Sequence, residues 1–207
     1  IFKGCCRMFG SMCVMMIMNV IFLKLLISAL GYVPSGVAVL PWMLLIVGIA
    51  RVARKIDGII ARMREARMNG RTVMFYSCII GSIPGETQTA ISLARTFVGD
   101  LRKRLDNVLI VNPAEHFVEG MDGDDLMFMW ERVQRSGFID VWRFQTFADI
   151  EESFRLMGRK VPPIWSGKDA TFSTGCTQEM RIALDVQRQN REMQIIGPDP
   201  ARFTRRG

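Results

Sequence analysis

From Arg71 onward the chain alternates short apolar runs with amphipathic stretches, and this alternation constrains the fold more than any other feature. Thr72 to Cys78 is a strand candidate, and the stretch after it places Ala90, Leu93, Ala94, Phe97, Val98 and Leu101 every three or four positions, which gives a helix one buried face. The run Asn107 to Pro113 has a fully apolar centre of the kind that sits inside a parallel sheet. A helix around Asp124 to Arg135, a strand Ile139 to Phe144, a helix from Phe147 to Met157, a helix from Thr177 to Gln189 and a strand Met193 to Ile196 complete the series. Strand-helix-strand alternation predicts an α/β, three-layer sandwich with a mostly parallel, Rossmann-like sheet, whose ligands lie at the carboxyl ends of the strands.

The first quarter reads differently. Met12 to Tyr32 is apolar except for Asn19 and Lys24, and a helix of that length matches a bilayer core of roughly 30 Å. Lys24 must snorkel or meet a partner there, so a buried helix or a shallow insertion is the competing reading. Gly36 to Ala50 is a second apolar run, and Gly31 to Gly36 between the two carries turn punctuation. Together they predict an N-terminal transmembrane helical hairpin over residues 1–50, in contact with the lipid bilayer through residues 12–50. A signal peptide is the rival for the first run, opposed by the missing small-x-small cleavage site and the second run just after it.

Residues 51–70 are expected to form a basic linker helix with Ile56, Ile59, Ile60 and Met63 on one face. Seven cations (Arg51, Arg54, Lys55, Arg62, Arg64, Arg67 and Arg71) face only Asp57 and Glu65, which accounts for most of the formal net charge of +7. Beside an apolar hairpin such a collar implies a cytoplasmic flank and binding of anionic lipid headgroups. Nucleic-acid binding is the weaker alternative, since the cluster lacks interleaved aromatics. Residues 71–197 then form the α/β domain and residues 198–207 an extended basic tail. An odd count of five cysteines, without a CxxC pair and with one His, argues against a disulfide framework or a zinc site and for a reducing compartment. Cys5 and Cys6 are lipidation candidates or interfacial thiols.

Two loops carry the candidate chemistry. Gly81-Ser82-Ile83-Pro84-Gly85 offers small residues, a hydroxyl and the N–H groups of a helix start, which suits a phosphate or carboxylate. Ser173-Thr174-Gly175-Cys176-Thr177-Gln178-Glu179 is expected to place a carboxylate in the opening turn of a helix, where the dipole favours its ionised form. Ordinary backbone use of Gly and ordinary helix capping explain either loop taken alone.

The pair together, a GSIxG loop at a strand end and S-x-G-x-x-x-E-x-x-x-A about ninety residues later, resembles the nucleoside 2-deoxyribosyltransferase-like superfamily, in particular its 2′-deoxynucleoside 5′-monophosphate N-hydrolases. The resemblance spans roughly residues 72–197. It implies that Glu179 is the nucleophile attacking the anomeric carbon, that Ser82 and Ser173 hold the 5′-phosphate, and that Gly81, Gly85 and Gly175 keep the backbone close. The implied substrate is a nucleotide or nucleoside, with no cofactor and no metal. Water as acceptor gives hydrolysis and a second base gives transfer.

The family's Ala-Asp pair before the second motif is missing, leaving Asp140 and Asp169 as general-acid candidates, and Tyr76 lies two residues too far from Gly81 to match the family's early aromatic. His116 is a candidate contact for base or ribose, and Glu115 and Glu119 are acid alternatives, each with a surface or capping role as the plainer reading. Trp130, Trp142 and Trp165 are candidates for stacking on a base, with core packing favoured for the first two. The opposing class is a non-catalytic nucleotide sensor, or a structural subunit of a membrane complex, that kept the fold. On either reading the chain is expected to form a homo-oligomer or join a membrane complex.

Overall fold

The computed structural model describes residues 39–117 and 123–204, with side chains for 54–117, 127 and 130–203. The first apolar run, Cys5, Cys6 and Glu119 lie outside these residues. The chain divides into two compact units, Ile1–Gly58 and Ile59–Gly207.

Helix α1, Val39–Met68, is continuous, so the second apolar run and the basic stretch belong to one helix with no break at residue 50. Among the described residues no helix is long and apolar enough to cross a membrane. Within the second unit, Ile59, Ile60, Met63 and Ala66 of α1 recur at helical spacing and are all buried. The end of this helix is therefore part of the domain core, and the unit begins twelve residues ahead of the expected boundary at Arg71. Arg67 also docks: its guanidinium donates to the Gly137 carbonyl at 2.9 Å and pairs with Asp140 at 3.3 Å. Arg71 donates to the Val108 carbonyl at 3.2 Å. Two members of the basic collar are thus engaged by the domain, while Arg62 and Arg64 are exposed.

Four strands follow the expected alternation: β1 (Thr72–Ser77), β2 (Val108–Val111), β3 (Val141–Phe144) and β4 (Gln194–Ile196). They form one all-parallel sheet in the order β2-β1-β3-β4, with Phe75 opposite Val111 on one side and Trp142 on the other. The crossovers are α2 (Thr87–Arg104), α3 (Gly123–Gln134) and, between β3 and β4, α4 (Phe147–Leu156) followed by α5 (Thr174–Gln189).

Strand alternation sorts the side chains to two faces. Met74, Tyr76 and Ile110 pack with Ile91, Phe97 and Leu101 of α2, against which α4 also packs. Phe75 turns the other way, meeting Trp130 of α3 and Trp142 edge-on at 5.8 and 5.2 Å, on the face where α3 packs against α5. Helices on both faces make the three layers, and burial of these large apolar side chains, each worth roughly 1.5–3 kcal/mol, holds them together.

The segment after Gly197 is not an extended arm through residue 204. Pro200–Thr204 coils into a 3-10 turn, Phe203 is buried with its ring edge-on to Phe144 at 5.2 Å, and Arg202 pairs with Asp169 at 2.8 Å. A buried aromatic and an ion pair thus hold this polar segment to the domain.

Candidate functional site

In this strand order the first crossover leaves β1 on one side and the second returns past it, so the crevice between the carboxyl ends of β1 and β3 is the place for a ligand. Three segments converge there. The Ile79 amide donates to the Gln145 Oε1 at 3.0 Å, the Gln145 amide to the Ser77 carbonyl at 2.8 Å, and the Ala170 amide to the Gln145 carbonyl at 2.8 Å. The loop after β1, the end of β3 and the approach to α5 are thereby fixed to one another.

This convergence joins the two motifs. Ser82 Oγ donates to Ser173 Oγ at 3.0 Å across 91 positions of sequence. Ser173 is also the N-cap of α5, accepting the Cys176 amide at 3.2 Å. Gly175 stands in the first turn, where an added Cβ would meet only Met127 Sδ and Ser173 Oγ at 3.6 Å, so packing alone does not demand glycine. Gly81 likewise has open space around an added Cβ, whereas Gly85 has φ +76° and needs glycine for its turn. The helix start after Gly85 carries its own carboxylate, Glu86, which accepts the Trp165 indole N–H at 3.0 Å. The anion-binding potential therefore lies with Ser82, Ser173 and the first-turn amides of α5 rather than with α2.

Glu179 does not sit in the opening turn. α5 begins at Thr174, which makes Glu179 its sixth residue, beyond the reach of the dipole that was expected to hold it ionised. Only 6% of it is exposed. Burial pushes its carboxyl from the ordinary 4.5 up to about 7, opposed by hydrogen bonds from Ser77, Gln134 and Cys176. The Gln134 Nε2 donates to Glu179 Oε1 at 2.8 Å. Ser77 Oγ accepts the Trp142 indole N–H at 2.7 Å, which leaves its own hydroxyl proton for Glu179. Burial, reinforced by the neighbouring Glu179 carboxylate, pushes the thiols of Cys78 and Cys176 up, so both are neutral.

The general-acid candidates fare differently. Asp140 precedes β3 at its amino end, where it accepts the Val73 amide at 2.9 Å and pairs with Arg67. Val73 lies four residues before Ser77, about 13 Å along the strand, so Asp140 is on the opposite edge of the sheet from Glu179 and ties α1 to it. Asp169 lies on the correct side but caps the 3-10 turn 170–172, accepting the Thr171 amide and hydroxyl as well as Arg202. Glu115 is held in a fork by Arg102 at 2.6 and 3.1 Å. His116 follows β2 with its ring tilted on Trp130 at 5.7 Å. Trp130, Trp142 and Trp165 are all buried, so none offers a free face for a base.

Sequence reasoning missed Ser77, Gln134 and Asn112, the last buried beyond β2 with its Oδ1 accepting the Ala114 amide at 3.1 Å and the Cys78 thiol at 3.9 Å. Ser77 and Asn112 close otherwise apolar runs, and a polar residue at the carboxyl end of a buried parallel strand is the signal that could have found them. Nothing in the sequence marks Gln134.

Beside the Ser173 end a groove of about 550 Å³ runs along α5 and the end of α3, lined by Ser173, Thr177, Gln178, Arg181 and Arg135 among others. Its volume lies in the range of roughly 300–1,000 Å³ common for small-molecule sites. Among the described residues no cluster of His, Cys, Asp and Glu could hold a metal ion. No protein-family model, curated protein or solved structure matches the chain.

Proposed function

We propose that the chain is an N-glycosidase or deoxyribosyltransferase acting on a nucleotide or nucleoside through Glu179 as nucleophile, tethered to a membrane by its N-terminal apolar runs. The observation that carries the reading is the 3.0 Å contact between Ser82 and Ser173, which brings the two motifs of the resemblance together at the carboxyl ends of the strands. Ser173 and Glu179 stand six residues apart on α5, about 9 Å along its axis, a separation suited to a phosphate at one end and a sugar carbon at the other.

In this mechanism ionised Glu179 attacks the anomeric carbon as the glycosidic bond breaks, and the base leaves with a proton. The covalent glycosyl ester then passes the sugar to water or to a second base. Hydrogen bonds from Ser77 and Gln134 orient the carboxylate, while Asp140, Asp169 and Glu115 are each paired with an arginine. Arg54, Arg62 and Arg64 are exposed, as contact with anionic headgroups on a reducing, cytoplasmic-type face requires.

A second reading, a nucleotide sensor or structural subunit that keeps the fold, draws on the burial of Glu179, because a carboxyl shielded to this degree also serves as part of a satisfied polar core. Calorimetry separates the two. A nucleoside monophosphate should bind more tightly than its nucleoside, by roughly 1.5–3 kcal/mol for each charge-assisted hydrogen bond to phosphate, and Ser173→Ala should narrow the gap. Equal binding of the two ligands contradicts phosphate recognition, and binding of neither favours the structural subunit.

A further inference from the structure

We propose that Gln134 is the positioning residue for Glu179, and that its side-chain amide turns over to serve the carboxyl in both of its protonation states. The inference rests on the reading of Glu179 as the reacting carboxylate and adds the device that holds it.

Gln134 is the last residue of α3 and is fully buried. Its Nε2 donates to Glu179 Oε1 at 2.8 Å, yet its own Oε1 is buried with no hydrogen-bond partner among the described residues. A buried amide carbonyl left unpaired costs free energy and calls for an explanation. Half a turn of the amide exchanges the two atoms and aims the carbonyl at Glu179, where it can accept a carboxyl proton. Ser77 Oγ, the other oxygen beside the carboxyl, already accepts the Trp142 indole N–H. The ionised acid therefore takes the amide N–H, and the protonated acid takes the amide carbonyl. Both protonation states thereby keep the carboxyl at one spot.

Few other titratable groups face this pair. Cys78 comes from the end of β1 and Cys176 from one turn earlier on α5, both neutral thiols. Beyond them, Glu115 acts on Cys78 and Asp169 on Cys176, each engaged by its own arginine. From the sheet, Ser77 and the Trp142 indole face the pair.

The test follows the Gln134 side-chain amide by nitrogen-edited NMR in the full-length chain. Its two protons should move with a midpoint near Glu179's, about 7, and the movement should vanish in Glu179→Gln. An amide unmoved by pH, or one moving equally in Glu179→Gln, overturns the proposal. In turnover, Gln134→Met should lower kcat about ten- to a hundredfold with little change in KM, as expected for a hydrogen bond to a charged group. A raised KM with unchanged kcat would make Gln134 a substrate contact instead and also overturn it. If the parent releases no base, the catalytic reading fails while the amide titration still decides the coupling.

Discussion

At the scale of residues, the decisive quantity is the free energy of burying one carboxyl. Glu179 is raised from 4.5 to about 7, so the folded state holds a proton that the unfolded chain has already lost. Stability from this group is full below about pH 4.5, falls as pH rises to about 7 and is flat above, a loss of about 3 kcal/mol in all. Glu179→Gln, which keeps the shape without the charge, should melt higher than the parent above pH 7 and close to it in acid, as calorimetric melting would register. Identical pH dependence in the two proteins would contradict the buried-charge account. The sequence made Glu179 visible through its motif but not its burial, because the count from Ser173 does not reveal which side chains cover it. Asp140 was equally visible, and its distance from the site became apparent only once the strand placed it at the amino edge.

At the scale of elements, periodicity reported the strands and helices of the domain well, since apolar residues every second or every three to four positions follow directly from which face is buried. Its limit was the boundary at Arg71. Ile56, Ile59, Ile60 and Met63 were expected on one helix face, but a helix face alone does not say whether it meets lipid, another helix or the domain. The structure buries Ile59, Ile60, Met63 and Ala66 in the second unit, with Arg67 fastened to Asp140. A fragment beginning at Ile59 should therefore fold cooperatively. One beginning at Asn69 loses three large buried side chains at roughly 1.5–3 kcal/mol each, a deficit comparable to the whole stability of a domain, and should be unfolded or aggregated. Urea melts of the two fragments test this, and equal midpoints would show that α1 is dispensable.

At the scale of the whole molecule, the second apolar run and the basic collar meet in one helix, since α1 runs unbroken from Val39 to Met68. If residues 12–50 enter a bilayer, the full chain should stay with membranes through carbonate extraction and need detergent for release. Recovery in the soluble fraction without detergent would turn these runs into core or interface helices. Length and hydropathy could suggest that partition, whereas the meeting of Ser82 with Ser173 could not be read from spacing, because it depends on Gln145 holding three segments together. The central claim remains chemical, and base release measures it most directly. Purified full-length protein incubated with a panel of deoxyribonucleoside and ribonucleoside monophosphates should liberate free base from at least one of them, with a rate rising through about pH 7 as Glu179 ionises, and Glu179→Gln should abolish it. Equal release by parent and Glu179→Gln, or none by the parent with any member of the panel, would contradict the account.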